Sequence, residues 1–518
     1  MRAATYLDRE FRDRALRDVY NARNKRVAPS HGFDIVPVLR HAWRAWWLET
    51  GQYLLTLAVL AAGLAAVPLD TVITLDVLVI WYLLRLWLRW ARQFVGYGEP
   101  VDSPALDQLN LVRDRRMRLN GKMVKYSLWS SLTVLFLLML ASAVSSRAES
   151  VTSWLAGTGS GVAAIAVAFS CVVACGATAR MLCLAHSQSA APRSRRLSRR
   201  MKAIDEQQDH PIVVHTGHKP FVGSGKSVRS WSFAQRLVEA DRTINGKVRE
   251  FDKPPFPARK LIDSLKSSIL DLGEDENAET RLPGLSVTDW VFVHETHAES
   301  SLSDALASDA GDDVNRAIAD AIAKPGDAAR HYLAARVESW GGDIVTSVFA
   351  HASLQGRTLY LEFATYALFP VKTDYAASRM GARAIAAHVG TALMCLPERL
   401  MESWRLVQAP ALLMPAPSRA YTGTDISLRE IVMLDSDVKF RDEPESSYFQ
   451  VQDIAQHSKI IERRLIATVE DFLDDAGVDT SEFVQRTTEI LNSGVLNIGS
   501  GNVSVANSAV GENSSVVM

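Results

Sequence analysis

The sequence predicts a membrane α-helical block of four transmembrane helices followed by a cytoplasmic α+β domain with an antiparallel sheet. Three observations point there. Four apolar runs fall between residues 53 and 185, arginine-rich segments bracket them, and three extended runs joined by short turns follow between residues 331 and 369.

The first run, 53–67, has no charge and follows Trp46 and Trp47, which suit a membrane interface. The second, 71–88, carries Asp76 and Arg85 near its ends. The third, 126–144, is uncharged, and the fourth, 162–179, stops at Arg180. A bilayer core needs roughly 20 mostly apolar residues per helix, which the third and fourth runs supply. The first two are shorter and are joined through Pro68, Leu69 and Asp70, so they read as a helical hairpin. Soluble core helices this close together would need more covering protein than the segment offers.

Orientation follows from the basic residues. Residues 1–49 hold ten Lys and Arg, 89–125 hold eight and 180–202 hold seven, whereas the other two connections hold Arg147 alone. Lys and Arg stay on the cytoplasmic side, which predicts a multi-pass plasma-membrane protein with both termini cytoplasmic. Asp76 then lies near the external end of the second run, as a solvated helix-end acid or, in the channel or transporter reading, a residue of an ion path.

The formal net charge of −1 over 518 residues hides a split. Residues 1–202 carry 27 basic and 13 acidic residues; the rest carry 30 basic and 45 acidic. The basic half suits anionic lipid headgroups, and the acidic half argues against nucleic acid as a partner. Arg193, Arg195, Arg196, Arg199, Arg200 and Lys202 form a juxtamembrane cluster expected to contact headgroups. Cys171, Cys175, Cys183 and Cys395 make no disulfide framework.

In chain order, 1–48 is a cytoplasmic amphipathic segment, with Leu7, Phe11, Ala15 and Val19 four apart in a helix over 5–26. The membrane block takes 49–188, a basic linker 189–208, the α+β domain 209–446, a helical pair 447–493 and a β-prone tail 494–518. Within the domain, strands are expected at 212–215, 289–294, 331–339, 344–353 and 357–369. Helices are expected at 230–240, 255–272, 301–324 and 379–407, the last broken at Pro397, and the pair at 449–476 and 480–491.

Gly223, Ser224, Gly225, Lys226 and Ser227 look like the end of a phosphate-binding loop between a strand and a helix. Gly223, Gly225, Lys226 and Ser227 are thus candidate nucleotide contacts. Pro220 stands where such a loop needs its first glycine, and Pro lacks an amide donor. An ordinary glycine turn competes with that reading. His210, His215, His218, His294 and His297 lack the spacing of a zinc motif, so no metal, cofactor or catalytic residue is assigned.

The tail, 494–518, has one acid, no base and no proline, and its valines recur among Gly, Asn and Ser. Such a segment builds no core alone, but stacked copies interdigitate, with Val495, Ile498, Val503, Val505 and Val510 as assembly residues. A disordered polar tail is the competing reading.

Two resemblances follow. The run from Lys219 to Gly225, with Trp231 and Phe233 after it, then Trp340, Gly341 and Gly342, and the stretch 354–363, resembles uncharacterised multi-pass membrane proteins of actinobacteria. The tail, through 497–503 and 509–513, is similar to bacterial amyloid signalling motifs, which implies templated assembly with a partner bearing a matching motif. Together these predict a signalling or stress-response membrane protein that self-associates through its tail into a homo-oligomer. The alternatives are a membrane-anchored nucleotide-binding enzyme using the Gly-Ser-Gly-Lys-Ser loop, and a channel or transporter.

Overall fold

The computed structural model describes residues 1–22, 25–94, 151–187, 197–240, 250–277, 279–298, 302, 306, 311–370, 382–407, 409, 427–434 and 448–492. The third apolar run, the tail with its five assembly residues, and Arg193, Arg195 and Arg196 lie outside them.

The amphipathic N-terminal segment forms α1 (Ala4–Leu7), α2 (Arg9–Arg14) and a π-helical turn (Ala15–Tyr20) rather than one helix. Asp8 makes the break: its backbone is extended, and its carboxylate accepts from the Phe11 amide as the cap of α2. Helices α3 (Ile35–Ala66), α4 (Pro68–Phe94) and α5 (Val151–Ser187) then form a packed helical block. Close approach sets their spacing. A Cβ on Gly63 of α3 would lie 2.7 Å from the Thr71 hydroxyl of α4, and one on Gly176 of α5 would lie 2.5 Å from Gln52 of α3.

The four-helix membrane block is corrected here. Among the described residues, two helices are long and apolar enough to cross a membrane, Ile35–Ala66 and Ser160–Ser187. The second apolar run is helical, within α4, but that helix is amphipathic, and two of its charged groups are used inside the protein. Asp70 is buried against Gly161 of α5, and Arg85 pairs with Glu398 at 3.3 Å and donates to the Met394 carbonyl. Asp76 is exposed on the same helix.

Helix α6 (Arg199–Gln208), capped by the Ser198 hydroxyl, leads into the sheet domain. Its strands are β1 (Ile212–His215), β2 (Lys226–Arg236), β3 (Leu285–His294), β4 (Ala329–Ser339), β5 (Ile344–Gln355) and β6 (Thr358–Leu368). They form one sheet in the order β1-β3-β4-β5-β6-β2. The antiparallel expectation is corrected to a mixed sheet, because β1 runs parallel to β3 while every other pair is antiparallel. The predicted β4–β5–β6 meander is present. Gly356 and Arg357, both at positive φ, close β5 onto β6 in a two-residue turn whose twist suits a hairpin.

The helix expected at 230–240 is instead most of β2. Arg229, Trp231, Phe233 and Gln235 turn inward while Ser230, Ser232 and Ala234 are exposed, a period of two that only a strand can satisfy. One face of the sheet is covered by α7 (Ala258–Glu274), α8 (Gly311–Ala323), α12 (Tyr448–Asp475) and α13 (Ser481–Asn492). Leu261, Leu265, Val291, Leu333, Val348 and Leu465 are buried between these layers. Helices α9 (Ala382–Met394) and α10 (Leu396–Glu402) return to the helical block and pack on α5. Helix α11 (Leu428–Leu434) stands at the junction described next.

Candidate functional site at the junction of the sheet and the N-terminal segment

The Gly-Ser-Gly loop opens β2, and its two glycines hold backbone that other residues adopt poorly, at φ 89° for Gly223 and 91° for Gly225. Packing excludes a side chain at both. A Cβ on Gly223 would sit 2.5 Å from the Pro29 carbonyl, and one on Gly225 would run into the Ala367 carbonyl of β6. The loop is therefore pressed between the N-terminal segment and the sheet.

Its amides converge on one atom. Gly223 and Gly225 donate to Glu430 Oε1 at 3.0 and 3.1 Å, and the Ser427 amide donates to Glu430 Oε2 at 3.0 Å. Ser427 and Glu430 also form a capping box, the Ser427 hydroxyl accepting from the Glu430 amide. This is a small anion-binding nest filled by the chain's own carboxylate. Burial pushes the Glu430 carboxyl above its ordinary range, while the three amides pull the other way.

Beside it, the Arg429 guanidinium faces carbonyl groups instead. It donates to His31 and Gly342 at 3.0 Å each, to Phe369 at 3.3 Å, and to Asp343. A Cβ on Gly32 would lie 2.7 Å from Arg429 Nη1, so the N-terminal segment must also pass with a bare backbone. Burial lowers the Arg429 guanidinium to about 10. Two adjacent residues of α11 thus tie residues 29–32, the Gly-Ser-Gly loop, the 340–343 turn and the end of β6 together.

The junction continues onto the sheet face opposite α7, α8, α12 and α13, where Phe221, Trp290, Phe292, Tyr332 and Phe349 are buried together. His31 meets Trp290 edge-on at 5.8 Å, and the Arg336 guanidinium lies 4.4 Å from the centroid of the Trp290 ring. Burial holds the His31 imidazole well below its usual range, helped by Arg336 and Arg429. Along the same face Tyr332 donates to Glu362 at 3.2 Å across β4 to β6. Between them, His351 Nδ1 donates to the His331 carbonyl at 2.7 Å.

The candidate nucleotide contacts are thus together, but a strand, not a helix, follows the loop. Lys226 sits opposite Ala367 in the β2–β6 ladder and Ser227 opposite Tyr366. A phosphate at these amides would have to displace Glu430. Of the candidate headgroup residues, Arg199 and Lys202 are exposed, and Lys202 pairs with Glu206 at 3.2 Å. Arg200 instead donates to the Val19, Tyr20 and Ala22 carbonyls and closes the end of the π-helical turn. His215 and His294 lie side by side on β1 and β3, but His294 is engaged by the Thr216 carbonyl and the Thr296 hydroxyl. Among the described residues no group of three His, Cys, Asp or Glu side chains is placed to hold a metal.

Arg429 and Glu430 are the residues that sequence reasoning missed. The signal was there in Ser427 and Glu430, a capping-box spacing that marks a helix start. No curated protein and no solved structure matches the chain. An AbeC-like domain matches residues 230–504, just over half of the chain, from within β2 through α13. The chain therefore belongs to the AbeC-like domain family.

Proposed function

We propose that this is a membrane-attached signalling protein in which α3 and α5 lie in the bilayer and the Arg429–Glu430 junction couples them to the sheet domain. One observation carries the membrane reading. In the apolar windows of both helices only 22% of residues are buried inside the protein, and Leu55 and Val167 are 58% and 61% exposed. A soluble core helix hides such residues, whereas a bilayer is the environment in which exposed Leu and Val cost nothing. The basic cluster at 193–202 would then lie against anionic headgroups at the inner face of the plasma membrane. Coupling rests on the junction, where the segment entering α3 is gripped by the residue that grips β6.

The test is fractionation of cells expressing the full chain, followed by an alkaline carbonate wash of the membranes. Retention in the washed pellet, with release by detergent, is the expected result. Recovery in the aqueous supernatant would remove the membrane reading.

Self-association through the tail is a second reading, favoured by the composition of 494–518 and its similarity to bacterial amyloid signalling motifs. Single-molecule counting in detergent is expected to give oligomers for the full chain and monomers without residues 494–518. Monomers in both would exclude it.

A further inference from the structure

Helices α9 and α10 lie in sequence between the sheet and α11, yet they pack on the helical block. Ile385 joins the cluster of Met181 and Leu184, which lie beyond Arg180 on α5. Further along α9, Val389 and Ala392 join Ile165, Phe169 and Val173 of α5 and Leu78 of α4. Leu396 and Leu400 of α10 belong to the same cluster. The pair therefore enters the block beside α5, from the side on which the sheet domain begins. The helix from Ile385 to Met394 spans about 14 Å, close to half the thickness of a bilayer core.

At 13 and 7 residues, neither helix is long enough to cross a membrane. No Asp, Glu, Lys or Arg falls between Arg383 and Glu398. While Ala392 is buried, Ala387, Gly390 and Met394 form an exposed stripe along α9, and Met394 is 63% exposed. Apolar surroundings tolerate a broken helix only where protein groups satisfy the freed backbone. The break between α9 and α10 meets that condition. The Met394 carbonyl accepts from Arg85 of α4, and the Cys395 amide donates to the Thr391 carbonyl at 3.0 Å. The Cys395 carbonyl accepts from the Arg399 amide at 3.1 Å, and Pro397 has no amide to satisfy. Arg85 is itself paired with Glu398 at 3.3 Å.

Beyond this point the chain reaches a charged margin. Glu402 of α10 pairs with Arg9, which also pairs with Glu49 of α3, and Glu49 pairs with Arg12. The hydroxyl of Tyr53, where the first apolar run begins, lies 2.8 Å from Glu49 and 3.1 Å from Glu402. Trp404 is exposed in the 3-10 turn Ser403–Val407, which packs on α3, and Trp47 is exposed just before Glu49. Exposed tryptophans suit the headgroup boundary.

We propose that α9 and α10 form a re-entrant hairpin whose exposed stripe lies against the acyl chains of the leaflet on the sheet-domain side. The occupant follows from continuity, since α9 packs directly on α5, whose Val167 and Leu182 also face outward. The hairpin rests on the membrane reading of α5. It adds that the family-matched region itself enters the bilayer, because α9 and α10 fall within residues 230–504.

The test uses the full chain in phosphatidylcholine vesicles, with Cys171→Ser, Cys175→Ser, Cys183→Ser and Cys395→Ser in place. A nitroxide label is attached at Met394→Cys, Val407→Cys or Val167→Cys, and its accessibility to oxygen and to a neutral nickel chelate is measured. Oxygen should outweigh the chelate at Met394 and Val167, and the order should reverse at Val407, which is 81% exposed beyond the margin. Gly390→Cys, where a Cβ meets nothing within 4 Å, should give a smaller oxygen excess than Met394→Cys. Chelate outweighing oxygen at Met394 but not at Val167, or exclusion of both at Met394, would overturn the hairpin and leave the membrane reading standing. Chelate outweighing oxygen at both positions would remove both. If the cysteine-free chain fails to fold, Met394→Asp in the unaltered chain must lower the melting temperature in vesicles by several degrees, with Val407→Asp unchanged. Equal melting of those two variants would equally overturn the proposal.

Discussion

In the sheet domain, Leu265, Val291 and Val348 are shut away between helices and strands, and the exposed positions of β2 are Ser230, Ser232 and Ala234. In the helical block the arrangement is turned round: Leu55, Val77 and Val167 face outward while Arg12 and Glu49 are buried. Under the proposed membrane placement, each half presents the surface that its surroundings call for. The sheet domain draws its stability from apolar area removed from water, whereas in the helical block a buried ion network must stay intact, because removing one partner leaves the others uncompensated.

The largest effect that would sharpen this contrast is Glu49→Gln. It leaves Arg9 and Arg12 facing a neutral amide at a buried site, and should cost about 3–5 kcal/mol. Thermal denaturation in detergent would measure it, and a loss below about 1 kcal/mol would mean that the network is solvated. Leu265→Ala is the counterpart in the sheet domain. Truncating this buried side chain of α7 should cost about 2–5 kcal/mol in denaturant titrations that follow the domain's own transition.

At the junction, Glu430→Gln should cost about 1–3 kcal/mol, because its amide NH₂ must face a backbone donor where a carboxylate oxygen accepted. The pH dependence has a defined sign. Burial raises the Glu430 pKa in the folded state, so the folded protein holds this proton more tightly than the unfolded chain. Its contribution is fullest below the ordinary value of 4.5 and drains as pH rises through the folded value. Glu430→Gln should remove that slope from a plot of melting temperature against pH. The smallest effect is expected for Leu55→Ser, within about 0.5 kcal/mol in detergent, since this side chain packs on little of the protein.

Much of the sheet domain was legible in the sequence because its signals are local. The turns around Gly342 and Gly356 and the extended runs that they join mark the meander without reference to anything distant. Strand β2 was misread because its outward residues are Ser and Ala, which blur the alternation that Trp231 and Phe233 carry. The parallel pairing of β1 with β3 leaves no local trace, since 69 residues separate the two strands. Similarly, α4 has the hydropathy of a span, and only the positions of Gly161 and Glu398 reveal that Asp70 and Arg85 are used inside the protein. The glycine loop was legible as an ordinary turn or the end of a phosphate-binding loop. Its occupant, Glu430, lies some two hundred residues away, and no spacing rule connects them.

The most direct test of the contrast uses the exposed thiols of α5, Cys171 and Cys175. With Cys183→Ser and Cys395→Ser in place, membranes carrying the full chain are treated with a charged, membrane-impermeant maleimide, before and after unfolding in dodecyl sulfate. The account predicts no labelling in intact or opened membranes and full labelling after unfolding, because lipid covers the face that these cysteines share with Val167. Full labelling in opened membranes before unfolding would contradict it and place that face in water.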